Sequence, residues 1–177
     1  MKVLKFGGTS VGTPEAIKNV IEIVRTSYGG EPCVVVVSAF TKVTDQLIEL
    51  CTLATSHGDY DQSLQELETR HLDAVRQLVP LNDQSTLLAR VKELCNELAD
   101  LLRGLHLLGE LTSHTKDCVM SFGERLSATV ICVALKGAGL PCTVLDTREY
   151  IKTDDHYGSA HVFFKETYTA LQAYFNN

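Results

Sequence analysis

Residues 33–37 read Cys-Val-Val-Val-Val, an apolar run with a β-branched side chain at every position after the first. Branching at Cβ stiffens χ1 and favours the extended backbone. No polar residue alternates with the apolar ones, so neither face is marked for water, and the run predicts a strand covered on both sides, central and parallel. Parallel neighbours need a long crossover connection, and the preceding sequence supplies one. Lys2–Phe6 reads as a short strand, and from Thr13 to Ser27 the apolar residues Ile17, Val20, Ile21 and Val24 recur at helical spacing before Gly29-Gly30. The chain therefore opens as βαβ, the unit of an α/β fold.

The connection between that first strand and its helix suits an anion. Lys5 comes two residues before Gly7-Gly8, and Thr9, Ser10, Thr13, Pro14 and Glu15 follow. Glycines let backbone N–H groups approach a ligand with no Cβ in the way. Thr9 and Ser10 add hydroxyl donors, and Lys5 brings a flexible positive charge to the strand end. Thr13 is placed to cap the helix and Pro14 to open it. A Walker A loop would put its lysine after the glycines, and GxGxxG is absent, so neither of those signatures applies. A polyphosphate is the guest that this order favours. Lys2, with no glycine turn beside it, reads as solvated.

Beyond Val37 the sequence turns helical. Helices are expected at about 44–55, 61–79, 84–108, 121–135 and 163–175. Leu87, Val91, Leu94, Leu98, Leu101, Leu105 and Leu108 form one stripe, and Phe164, Tyr168, Leu171 and Phe175 another. The helices at 61–79 and 84–108 read as an antiparallel pair beside the sheet, and Cys142–Leu145 as a third strand. Ser38 falls just past the end of a buried strand, where ligands of open α/β sheets sit. Thr44 starts the next helix, where N-capping is its ordinary role. Three strands make a thin sheet, and the sequence stops after a helix where a βαβ fold would enter its next strand, so the domain is expected to be incomplete.

A formal net charge of −6 over 177 residues argues against nucleic acid as a main partner, while local cations can still hold a nucleotide. No apolar run approaches the ~18 residues of a membrane span, and the N-terminus reads as a strand rather than a signal peptide. A cytoplasmic protein with no membrane partner is expected. The six cysteines include no CxxC pair and read as small buried thiols. His71 and His106 fall within helical patterns, whereas His57, His114, His156 and His161 show no ligand-like spacing. No residue is assigned to a metal.

Four segments, in order and spacing, resemble the aspartate kinases of the amino-acid kinase family. They are Lys5-Phe6-Gly7-Gly8-Thr9-Ser10-Val11-Gly12, then Val37-Ser38-Ala39 with Val43-Thr44, then Ser121-Phe122-Gly123-Glu124-Arg125-Leu126-Ser127, and Thr153-Asp154-Asp155-His156-Tyr157-Gly158. The resemblance implies an amino-acid kinase-like fold, a mostly parallel sheet flanked by helices, here truncated and helix-rich. It implies transfer of the ATP γ-phosphoryl group to the β-carboxylate of L-aspartate, giving 4-phospho-L-aspartate on the way to lysine, threonine and methionine. Mg2+ would be carried mainly on the ATP phosphates, and the parent enzyme would be a homo-oligomer. Residues 1–177 would then be the N-terminal lobe of a longer catalytic domain, inactive alone. Most of the nucleotide pocket and the regulatory ACT domains would lie outside it.

On that resemblance Lys5 is the catalytic cation, and Lys5, Gly7, Gly8 and Ser10 face the nucleotide phosphates. Ser38, Ala39, Thr44 and Glu124 contact aspartate. Ala39 does so by admitting substrate beside a small side chain, and Glu124 by pairing with the substrate ammonium, for which a carboxylate is the matching partner. From composition alone Glu124 would be a helix-surface acid beside Arg125. Asp154 and Asp155 belong to a loop near the substrate cleft and are not read as metal ligands. Two alternatives stand beside this reading: another amino-acid kinase, acting on glutamate, carbamate or uridylate, and a non-catalytic module whose helices over 61–108 form a partner surface.

Overall fold

The computed structural model describes residues 1–176. Strand β1, Lys2–Phe6, pairs in parallel with β2, Cys33–Val37, so that Lys2 lies opposite Cys33 and Phe6 opposite Val37. Helix α1, Pro14–Tyr28, connects them. Thr13 is extended and its hydroxyl accepts the Ala16 N–H at 3.2 Å, while Gly29 closes the helix at φ 44°, a conformation that a Cβ disfavours. Ile17, Val20, Ile21 and Val24 are buried, as their spacing predicts.

Four long helices follow: α2 (Val43–Thr55), α3 (Asp61–Leu78), α4 (Leu81–Leu108) and α5 (Ser113–Gly137). Pro80 separates α3 from α4, where its ring would disrupt a continuing helix. The α4 stripe is buried at Leu87, Val91, Leu94, Leu98 and Leu105, with Leu102 also buried. Leu108 departs from expectation. It is 78% exposed beside Gly109, whose φ of 65° ends the helix. α3 and α4 pack on each other as expected, but their place beside the sheet is taken by other helices: those packed on β2 are α1 and α5, and the α3–α4 pair packs against α2 and α5.

Helix α5 starts eight residues before the expected 121 and is long and apolar enough by composition to cross a membrane. More than half of that apolar stretch is buried inside the protein, where α5 packs against α1, α2, α3, α4 and β2. It is the central helix of the core.

Two expectations about the sheet fail. In a parallel ladder, register partners share a face. Leu4, Val35 and Val37 pack on the core, whereas Val3 and Val36 on the opposite face are 64% and 45% exposed. The Cys33–Val37 run is thus covered on one side, and among the described residues β1 is its only ladder partner. Cys142–Leu145 forms no strand. Pro141 contributes no N–H to a ladder, and Val144 stays exposed. Beyond a short 3₁₀ turn at Thr147–Glu149, helix α6 (Phe164–Phe175) buries only Thr167 and leaves Phe164, Tyr168 and Phe175 exposed. All six cysteines are free, and burial pushes the Cys95 thiol up to about 12, which makes it inert.

Candidate active site

β1 and β2 end side by side, and the segment leaving each strand forms part of one rim. The Ser38 N–H extends the ladder to the Phe6 carbonyl at 3.1 Å. The glycine turn then locks to the β2–α2 loop, as the Thr41 hydroxyl donates to the Gly8 carbonyl at 2.8 Å. A Cβ on Gly8 would lie 3.2 Å from the Ala39 carbonyl oxygen, and one on Gly12 would collide with the Thr41 side chain. Neither glycine has a positive φ. The close approach of two loops, rather than an unusual backbone angle, is what requires glycine at both positions.

Lys5 reaches this turn. A Cβ placed on Gly7 would be 3.9 Å from the Lys5 ammonium. Lys5 is exposed and joins none of the ion pairs among the described residues. Lys2, on the same strand, is tied down instead: its ammonium donates to the Ser27 carbonyl at 3.0 Å, at the negative end of α1. Of the turn amides, Ser10 N–H folds back onto the Gly7 carbonyl at 2.9 Å. Those of Gly7, Gly8 and Thr9 meet no protein acceptor among the described residues. Free N–H groups beside an unpaired ammonium are the donor set that a phosphate needs, so the turn fits the phosphates of ATP.

Helix α5 brings the acid. It crosses the β2 end so closely that a Cβ on Gly123 would lie 2.8 Å from that of Ala39. Ala39 is only 2% exposed, and its small side chain permits this crossing. Its backbone faces the site: the Ala39 N–H donates to Glu124 Oε1 at 3.3 Å. Glu124 is exposed at the end of β2 and is not neutralised by its neighbour. Arg125 turns away to Glu97 at 2.8 Å and over the Phe122 ring at 4.3 Å.

Ser38 stands near the turn, its hydroxyl 3.9 Å from where a Gly8 Cβ would be. Thr44 does not cap α2. The helix starts one residue earlier, at Val43, behind Lys42 at φ 66°, and no side chain caps it. The structure thus gathers Lys5, Gly7, Gly8, Ser38, Ala39 and Glu124 at the strand ends. Ser10 and Thr44 lie on the two segments that lead away, half-buried and with no side-chain hydrogen bond among the described residues. Two of the best-formed clefts run along α3 near Gln62, Glu66 and Arg70, and neither includes the glycine turn.

Sequence reasoning missed Arg70 on α3. Its guanidinium donates to the Thr41 carbonyl at 2.7 Å and to the Gly12 carbonyl at 3.0 Å, and lies 5.9 Å from the Phe40 ring centre. It therefore ties both rim segments to the helical layer. Burial lowers its pKa somewhat from the ordinary arginine value. The neighbouring His71 is fully buried, stacked on Phe40 at 4.7 Å, with Nδ1 bonded to the Leu67 carbonyl at 2.8 Å. Burial pushes its pKa down to about 4. Nothing local marks Arg70, whose targets lie 29 and 58 residues away.

The segment after Lys152 forms a small hairpin, closed by an antiparallel bridge between Thr153 and Val162. It docks near the N-terminal end of α5 through a hydrogen bond from Gly158 N–H to Asp117 at 2.7 Å. Asp154, His156 and His161, whose spacing carries no ligand signature, are brought together there.

Residues 1–177 match the profile of the amino acid kinase family. The chain is 35% identical over 150 residues to a chloroplastic bifunctional aspartokinase/homoserine dehydrogenase 2 of Zea mays, covering 84% of this chain and 16% of that protein. It is 34% identical over 155 residues to an aspartokinase of Chlamydia trachomatis, covering 88% and 32% respectively. Among solved structures, Escherichia coli aspartokinase III in complex with aspartate and ADP superposes with a TM-score of 0.84 at 22% identity, covering 99% of this chain and 38% of that one. The superposition establishes the shared fold. The chain spans between about a sixth and a third of the curated relatives it matches.

Proposed function

The chain belongs to the amino acid kinase family, and from that premise we propose that it is the N-terminal lobe of an aspartate kinase. The complete enzyme transfers the γ-phosphoryl group of ATP to the β-carboxylate of L-aspartate, toward lysine, threonine and methionine. It acts in the cytoplasm as a homo-oligomer, with Mg2+ bound chiefly through the ATP phosphates. The observation that carries the proposal is the unpaired Lys5 ammonium beside free turn amides, on the same strand ends as Glu124.

The acceptor carboxylate is already ionised at neutral pH, so no general base is needed to form the nucleophile. The difficulty is electrostatic, because one anion must approach another. Lys5 and the Gly7 and Gly8 amides offset that repulsion and stabilise the charge on the equatorial oxygens as transfer proceeds. Ser10 adds a hydroxyl donor to the phosphate side. On the aspartate side, Glu124 pairs with the substrate ammonium, and Ser38, Thr44 and the Ala39 backbone orient the acid. Bound Mg2+ would supply further positive charge at the phosphates.

A coupled ADP-release assay tests the proposal on the complete polypeptide and on residues 1–177. Aspartate-dependent turnover is expected from the former and none from the latter. In the complete enzyme, Lys5→Ala should lower kcat by about 10²- to 10³-fold, the loss typical of one preorganised transition-state donor. Glu124→Gln should raise KM for aspartate by at least about tenfold, since a charge-assisted contact is lost. Unchanged kinetics in either variant removes that residue from the mechanism.

A further inference from the structure

The hairpin between Thr153 and Val162 holds a group of side chains that phosphoryl transfer leaves unused. Asp154 Oδ2 lies 3.0 Å from His156 Nδ1 and 3.1 Å from His161 Nδ1, and the three ligand atoms all fall within 4.8 Å of one another. Two donors each ~2.1 Å from a metal and at right angles around it are ~3.0 Å apart, so both N···O separations are already those of neighbouring ligands on one ion. The rings stand edge to face, with centres 6.1 Å apart, so they do not stack against each other.

The carboxylate is held in place for this role. Its other oxygen, Oδ1, accepts the N–H of His156 at 3.2 Å and that of His161 at 3.0 Å, which aims Oδ2 at the imidazoles. Orientation of a ligand by hydrogen bonds to its remaining atoms is characteristic of metal centres. The Asp154 N–H also donates to the His161 carbonyl at 3.1 Å, next to the Thr153–Val162 bridge, so both ends of the loop are fixed. Its middle is fixed to the body of the protein by Gly158 and by the Tyr157 ring, 4.5 Å from that of His114. Asp154 is 19% exposed, whereas the imidazoles are 70% and 81% exposed, so an ion can reach the site from water.

We propose that this hairpin binds one divalent transition-metal ion through Asp154 Oδ2 and the Nδ1 atoms of His156 and His161. Two imidazoles and one carboxylate suit Zn2+, Co2+ or Ni2+ and suit Mg2+ poorly, since Mg2+ prefers an all-oxygen shell. Three protein ligands leave the remaining coordination positions of the ion to water. Binding replaces the His–Asp hydrogen bonds, with each imidazole carrying its proton on the solvent-facing Nε2.

Co2+ titration of the chain, followed by absorption and calorimetry, tests the site and separates it from the free cysteines. Binding of one ion per chain is expected, with weak visible bands and no thiolate-to-metal charge-transfer band. His156→Ala and His161→Ala should each weaken binding by more than about tenfold, because even the loss of an outer-sphere partner commonly costs that much. Both side chains are exposed, so the fold should survive their removal. Cys118→Ala, which removes the thiol 3.6 Å from His114 Nε2 but keeps the contact of His114 with Tyr157, should leave the affinity unchanged. A thiolate band, or wild-type affinity in either His156→Ala or His161→Ala, overturns the proposal.

Discussion

The helical layer of α2 to α5 and the sheet with α6 are both rich in large apolar residues, yet they end in opposite states. Leu47, Leu50, Leu67, Leu98, Leu102 and Leu126 are fully buried, whereas Val3, Val36, Phe164 and Tyr168 are each more than 40% exposed. In the layer, every apolar stripe meets another stripe. The outer sheet face and the α6 stripe meet none among the described residues. Periodicity therefore reports which face an element is built to bury, and says nothing about whether the partner lies within the same stretch of chain.

If that contrast is physical, cutting into the layer should cost most. Leu98→Ala removes a side chain from a fully buried position on α4 and should destabilise the chain by about 2–5 kcal/mol, through lost transfer energy and the cavity left behind. Urea denaturation measures it, and a cost below about 1 kcal/mol would mean that the layer is loosely packed. His71 gives a pH-dependent counterpart. Its pKa falls from 6.5 to about 4 on folding, so between those values the unfolded chain binds more protons. Stability is then fully present above pH 6.5 and is lost as pH falls toward 4, by roughly 3 kcal/mol in all. His71→Met should flatten the slope of stability against pH in that window, and an unaltered slope would assign the effect to other groups.

The same contrast explains what was legible in the sequence. Helix α1 was readable to its caps because Thr13, Pro14 and Gly29 act within a few residues of one another. Lys5 and the glycines were readable because order along the chain is order in space at a strand end. Glu124 was recognisable by resemblance, but its closeness to Ala39 depends on α5 crossing at Gly123, 84 residues from Ala39, and no local pattern encodes that. The smallness of Ala39 answers the same crossing, which no local pattern encodes either. The Cys142–Leu145 run has strand composition, yet a strand exists only as part of a ladder. The histidines of the 154–161 hairpin become neighbours only through the bridge that closes it.

Arg70 sits at the boundary between the two regions and carries the next-largest effect. Arg70→Met keeps an apolar stem against Phe40 but leaves the part-buried Thr41 and Gly12 carbonyls without their donor. A cost of about 1–3 kcal/mol is expected from unpaired carbonyls that had a charged partner. Hydrogen exchange should quicken at Ser10 and Val43, whose amides close the two rim segments onto the Gly7 and Phe40 carbonyls. Arg70→Lys should recover part of the stability, because one ammonium cannot reproduce a fork that spans two carbonyls. Global loss without faster local exchange would place Arg70 in the helical layer alone and detach it from the rim.

The smallest effect is expected on the open sheet face, and it is the sharpest test of the contrast. Val36 is 45% exposed, and its neighbour in register is Lys5. Val36→Thr keeps the β-branch and the strand preference while exchanging a methyl group for a hydroxyl. On a face open to water the change should stay within about 0.5 kcal/mol. A loss above about 1 kcal/mol, especially one that grows with protein concentration, would mean that something covers the face in solution. Val36 would then behave like the buried leucines of α4, and the sheet would be as closed as the helical layer.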